Sequence, residues 1–122
     1  MFPLRRVLVA DDSPLVRGLL SKRVKDAGLD VLLCDSAATA RVVRPTEIRG
    51  ALLDLDLGDG NGTDVAATLR AARPDLPIAF FTASASGELI DRARTIGPVF
   101  VKPEELEDAV AWITGVLSGS PP

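Results

Sequence analysis

Short apolar runs alternate five times with segments whose apolar residues recur every three or four positions. The first run, Val7-Leu8-Val9-Ala10, predicts a strand over about 6–10. A helix is expected next, over about 14–27, with Ser13 as N-cap, Pro14 at the first helical position and Gly28 as stop. Val16, Leu19, Leu20 and Val24 fall on its inner face. Four more strands are predicted at "DVLLC" (30–34), "GALLDL" (50–55), "PIAFFT" (77–82) and "VFV" (99–101). Helices are expected between and after them, over about 37–44, 63–72, 86–96 and 104–117. Pro45 ends the second of these helices. The last carries Leu106, Val110, Ile113 and Leu117 as its inner stripe, and Trp112 lies outside that stripe.

The last three strands read as near-continuous apolar runs. Strands of that kind are covered on both faces, which implies a parallel sheet between two layers of helices. The expected fold is therefore α/β: a doubly wound, flavodoxin-like (βα)5 sandwich with strand order 2-1-3-4-5. The length of 122 residues fits one domain, with a core over about 5–117 and a frayed "SGSPP" tail over 118–122.

Composition narrows the function classes. The formal net charge is -3, and Lys and Arg are scattered, so a nucleic-acid footprint is not expected. No apolar run approaches the ~20 residues of a membrane span, and the N-terminus "MFPLRRV" lacks the plan of a secretory signal. The expected location is the cytoplasm. Histidine is absent, which removes His-based triads, His metal sites and phosphohistidine carriers. Cys34 is the single cysteine, and its apolar neighbours predict a buried, unreactive thiol.

Polar residues recur where the strands end. Asp11 and Asp12 follow the first strand, Asp54 the third, Thr82 the fourth and Lys102 the fifth. A lone Asp after a strand is commonly a turn residue or a helix cap. Several such groups on one edge are better explained by a ligand site, because in this fold ligands sit outside the carboxyl ends of the strands where strand order reverses. Strands one and three are neighbours there, so Asp11, Asp12 and Asp54 are expected to converge. Three carboxylates suit a hard divalent cation, most simply Mg²⁺, which would offset their repulsion.

With these positions in view, "VADDS", "LLDLDLGDGNG", "FFTAS" and "FVKP" together resemble the receiver domain of two-component response regulators, the CheY-like superfamily. The resemblance covers essentially the whole chain. It implies that Asp54 is the phosphoacceptor and that Gly62 is the glycine expected eight residues later. It implies that Asp12 and Asp54 bind Mg²⁺ directly with the backbone carbonyl of Asp56, and that Asp11 helps through water. Lys102 is expected to contact the phosphoryl oxygens, Thr82 to hydrogen-bond the acyl phosphate, and the Lys102–Pro103 bond to be cis. Asp56 and Ser84 flank the cleft and are candidates for tuning phosphate hydrolysis. The implied partners are a sensor histidine kinase or phosphotransfer protein, and a downstream protein target or a second copy of the chain. A receiver of this kind catalyses only its own phosphorylation and dephosphorylation.

Three departures accompany the resemblance. Gly58 stands where Pro is frequent, which predicts a freer loop. Val99 stands where an aromatic switch residue is expected three positions before the lysine, and its β-branched side chain is stiff. No output domain is expected, so the signal would leave through a surface of this domain, with Val99 and Trp112 as candidate contacts; partial packing is the plainer role for Trp112. Other classes fit less well. A haloacid-dehalogenase-type phosphatase carries its D-x-D loop on the first strand. An EF-hand loop fails at Gly58, Asp59 and Val65. A pseudo-receiver acting only through protein contact is the alternative that labelling with a small phosphodonor separates.

Overall fold

Each apolar run becomes one strand of a single parallel sheet, in the order β2-β1-β3-β4-β5. The computed structural model describes residues 6–84 and 86–118. In chain order the elements are β1 (Arg6–Ala10), α1 (Pro14–Asp26), β2 (Asp30–Cys34), α2 (Ala37–Arg41), β3 (Gly50–Leu53), α3 (Gly62–Ala72), β4 (Ile78–Thr82), α4 (Glu88–Arg94), β5 (Val99–Val101) and α5 (Leu106–Ser118). A single 3₁₀ turn, Pro45–Glu47, lies between α2 and β3. The register pairs Val7 with Val31 and Gly50, and Ala51 with Ile78. No helix among the described residues is long and apolar enough to cross a membrane.

Alternation along the strands divides the core into two layers. Val7, Val9, Leu52, Ala79 and Phe81 face α1 and α5, meeting Leu20, Val24 and Ile113. Leu8, Ala51, Leu53, Ile78 and Phe80 face α2, α3 and α4, meeting Ala37, Val65, Leu69 and Ile90. Burying each such large side chain contributes about 1.5–3 kcal/mol, so the two layers, not surface ion pairs, hold the sheet in place. Val99 packs on the α2–α4 side and Phe100 on the α1–α5 side, as alternation requires. Trp112 is half-buried against the α1–α5 layer. Cys34 is buried, and burial raises the pKa of its thiol.

Several boundaries differ from the sequence expectation, each for a tertiary reason. Helix α2 stops at Arg41 instead of reaching 44, because Pro45 bars the α conformation at Arg44. The guanidinium of Arg73 then takes the carbonyls of Pro45 and Ile48, at 2.9 and 2.6 Å. Helix α4 begins at Glu88, two residues late, after Gly87 with φ +114°. Helix α5 begins at Leu106, since the Glu105 side chain turns back to accept from the Val101 N–H at 2.7 Å. On α1, Leu19 is 44% exposed rather than inward. Helix α5 includes Ser118; the remainder of the expected tail, 119–122, lies outside the described residues.

Candidate functional site

The acidic turn after β1 is built from the main chain outward. The Asp11 N–H continues the sheet by donating to the Cys34 carbonyl at 3.1 Å. Its side chain bends back, and Oδ1 accepts from the Ser13 N–H at 2.9 Å, an Asx turn that leads into α1. Arg17, one turn along α1, donates to the Asp11 carbonyl at 2.7 Å. Asp11 is thereby fixed and buried, whereas Asp12 projects into solvent.

Asp54 leaves β3 beside it. Its N–H donates to the Ala10 carbonyl at 2.9 Å, so the ends of β1 and β3 are stitched together directly below the acids. Asp54 Oδ1 accepts from the Asp56 N–H at 3.2 Å, and this turn is why the strand stops at Leu53 rather than 55. Gly62 opens α3 against the same backbone. A Cβ at Gly62 would collide with the Asp54 carbonyl oxygen, so the glycine eight residues after Asp54 serves this close approach.

Lys102 joins the two sides. It follows β5, and its N–H donates to the Thr82 carbonyl at 2.8 Å. Its ammonium lies 2.8 Å from Asp54 Oδ2 and 2.7 Å from Asp11 Oδ2, 5.7 Å from the centroid of the Phe81 ring. The contact with Asp54 is a hydrogen bond. Asp11 Oδ2 is paired with the same ammonium and is buried. The Lys102–Pro103 bond is cis, as the resemblance implies. Thr82 is buried at the end of β4, with Oγ1 accepting from the Ser84 N–H at 3.3 Å.

One carboxylate oxygen from each of Asp11, Asp12 and Asp54 lies within 4.8 Å of the others. Three carboxylates against one ammonium leave a formal charge of −2 in the cleft, which one divalent cation would balance. Burial pushes the Asp54 carboxyl above its ordinary pKa, and Lys102 opposes this without cancelling it. Burial works to lower the Lys102 pKa, yet Asp11 and Asp54 outweigh it and the ammonium is held more firmly than usual. The all-oxygen donor set fits a hard cation such as Mg²⁺.

Asp56 and Ser84 are exposed at the rim. Val99 and Trp112 are half-buried in the two core layers rather than brought into the cleft. Where a freer loop is expected from Gly58, the structure shows a fastened one. Gly58 sits at φ +82°, its N–H donates to Asp56 Oδ1 at 3.0 Å, and the Leu57 N–H donates to the Gly60 carbonyl at 3.0 Å. Sequence reasoning missed Arg17 and Asp59, and a solvated arginine or loop acid carries no signal that would single them out.

The sequence profile of the response regulator receiver domain matches residues 7–113. The chain belongs to that family. Its curated relatives include the photosynthetic apparatus regulatory protein RegA of Rhodovulum sulfidophilum, 29% identical over 121 residues, covering 95% of this chain and 64% of RegA. The probable transcriptional regulatory protein TcrX of Mycobacterium tuberculosis is 30% identical over 117 residues, covering 91% of this chain and 49% of TcrX. Among solved structures, the non-phosphorylated HemR receiver domain from Leptospira biflexa superposes with a TM-score of 0.82 at 28% identity, covering 96% of this chain and 97% of that one. This receiver domain spans 16% to 64% of the length of the curated relatives it matches.

Proposed function

We propose that this receiver domain accepts a phosphoryl group on Asp54 from a sensor histidine kinase or phosphotransfer protein, with Mg²⁺, and so switches a protein-interaction surface. The observation that carries the reading is Asp54 itself: a buried carboxylate at a strand end, with Oδ2 on the Lys102 ammonium and Asp11 and Asp12 alongside. A carboxylate oxygen of Asp54 attacks phosphorus, and the bond from phosphorus to the donor imidazole nitrogen breaks with its electron pair leaving on the imidazole. The product is an acyl phosphate. Lys102 is placed to follow the charge from Asp54 Oδ2 onto a phosphoryl oxygen, where a fixed cation favours the transition state. Thr82 offers its hydroxyl at the neighbouring strand end, which Ala83 leaves uncrowded. Asp11, Asp12 and Asp54 would hold Mg²⁺ with the Asp56 carbonyl, and the metal would supply charge neutralisation at the phosphoryl oxygens. Asp56 and Ser84, exposed at the rim, tune how readily water reaches the acyl phosphate.

A protein donor has to cover the rim beside Lys102. That rim is an apolar groove of Val16, Leu19, Phe81, Pro103 and Leu106, which supports a protein donor. Incubation with acetyl phosphate and Mg²⁺ should add one phosphoryl group by intact mass, removal of Mg²⁺ should stop the reaction, and Asp54→Asn should abolish the product. Undiminished labelling of that variant overturns the assignment. An unlabelled wild-type chain in the presence of Mg²⁺ points instead to a module acting by contact alone.

A further inference from the structure

The turn that follows Asp54 is held at two points. Its near half is anchored by Leu57, buried in the layer facing α2, α3 and α4. At its outer tip, Asp59 reaches across to the start of α2. Oδ1 accepts from the Ala37 N–H at 2.7 Å and Oδ2 from the Ala38 N–H at 3.0 Å. The residues are 22 and 21 positions apart, so the bonds clasp two separate segments. Both donors belong to the first turn of a helix, where N–H groups lack intrahelical partners and a negative charge is favoured. The pKa of the Asp59 carboxyl is correspondingly lowered, chiefly by its bonds from Ala37 and Ala38. The contact is close as well as polar, since a Cβ at Gly60 would stand 2.9 Å from the Ala37 Cβ.

Helix α2 already has a cap without Asp59. Ser36 is its N-cap, with Oγ accepting from the Thr39 N–H at 3.1 Å. Asp59 therefore matters most for the other partner in the clasp, the loop. Between Leu57 and Asp59 and the acceptor lie two linked turns: the Asp56 N–H on Asp54 Oδ1, and the Gly58 N–H on Asp56 Oδ1. These turns link the tip to Asp56 through a continuous run of hydrogen-bonded backbone.

We infer that Asp59 is a positioning residue of the acceptor site, which by clasping the start of α2 fixes the loop that presents the Asp56 carbonyl beside Asp54. The inference rests on the proposed Mg²⁺-dependent acceptor reading, because only there does the placing of that carbonyl matter. Leu57 still holds the near half when Asp59 is lost. The expected effect is therefore about three- to tenfold in Mg²⁺ affinity, below the 10–100-fold common for groups that orient metal ligands.

The test titrates Mg²⁺ into the full chain by calorimetry and follows amide exchange at Ala37 and Ala38, for wild type, Asp59→Ala, Asp59→Asn and Ser36→Ala. Asp59→Ala should lose about three- to tenfold in affinity and exchange faster at both amides, and Asp59→Asn, with one neutral acceptor left, should fall between. Ser36→Ala should loosen the Thr39 amide and leave Mg²⁺ affinity unchanged. Wild-type affinity in Asp59→Ala, or an equal loss in Ser36→Ala, reduces Asp59 to a helix cap and overturns the inference while the acceptor reading stands. A wild-type chain that binds no Mg²⁺ overturns the metal reading and this inference with it. Should Asp59→Ala fail to fold, Asp59→Asn decides by the same comparison.

Discussion

The two sides of the cleft are built differently. On the β1–β3 side the chemical groups are tied down, except for the exposed Asp12. Asp11 and Asp54 are bonded through their amides to neighbouring strands, Asp11 is held further by Ser13 and Arg17, and the loop after Asp54 is clasped to α2. On the β4–β5 side the ties are few. Among the described residues Thr82 Oγ1 holds only the Ser84 N–H, at 3.3 Å, Ala83 and Ser84 are exposed, and α4 starts without a side-chain cap. Strand β5 is three half-buried residues at the sheet edge. Sparse burial and few bonds mark the segments that open at low cost. The contrast separates a tightly bonded half from a sparsely bonded one, and the Lys102 ammonium reaches from the second to Asp11 and Asp54 on the first.

Breaking that bridge should have the largest effect. Lys102→Ala removes the cation that faces the reacting charge, and labelling by acetyl phosphate should slow by about 10²–10³-fold, the usual cost of one lost stabilising donor. It also leaves Asp11 and Asp54 buried face to face. Loss of one partner of a buried pair costs about 3–5 kcal/mol. Urea unfolding with and without Mg²⁺ checks this: Mg²⁺ should restore part of the loss, and equal stabilities of variant and wild type without metal contradict it.

A smaller effect sharpens the contrast between the halves. With Mg²⁺ and beryllofluoride, amide exchange should change most around Thr82, Ala83 and Ser84 and less along 99–101, since Val99 has no ring to swing. Coupling to a partner should then sit near the low end of the usual ~1–3 kcal/mol. Changes at Val99 as strong as those at Thr82 would place the switch in β5 after all.

The smallest effect concerns pH. The folded pKa of Asp59 is lowered from 3.8, so its contribution is present above that ordinary value and is lost as pH falls through the lower, folded one. Protection of the Ala37 and Ala38 amides should hold down to about pH 4 and decline only below it. A decline already between pH 6 and pH 5, about one to two units above the ordinary value, would mean that another group titrates there.

What was legible in the sequence follows the range of the interactions. Strands β1, β2 and β5 coincide with their apolar runs because alternation and burial are local patterns. The meeting of Asp11, Asp54 and Lys102 could be read because topology brings strand ends together whatever the side chains do. Helix ends were less legible. The start of α5 is set by Glu105, whose side chain accepts from a main-chain N–H that leaves no mark in residue type, and α2 stops at Arg41, short of the 44 that its Pro45 signal suggests. Helical periodicity places Leu19 near the inner face of α1 but cannot foresee the groove that leaves it exposed. Asp59 looks like any loop acid until the fold carries Ala37 to it.

The central claim is that one carboxylate, Asp54, is the acceptor, and its position can be mapped directly. After labelling with acetyl phosphate and Mg²⁺, borohydride reduction converts a phosphorylated aspartate to homoserine, which peptide mass mapping then locates. Homoserine at position 54 and nowhere else is the predicted result. Homoserine at Asp11, Asp12 or Asp56 with Asp54 intact would contradict it.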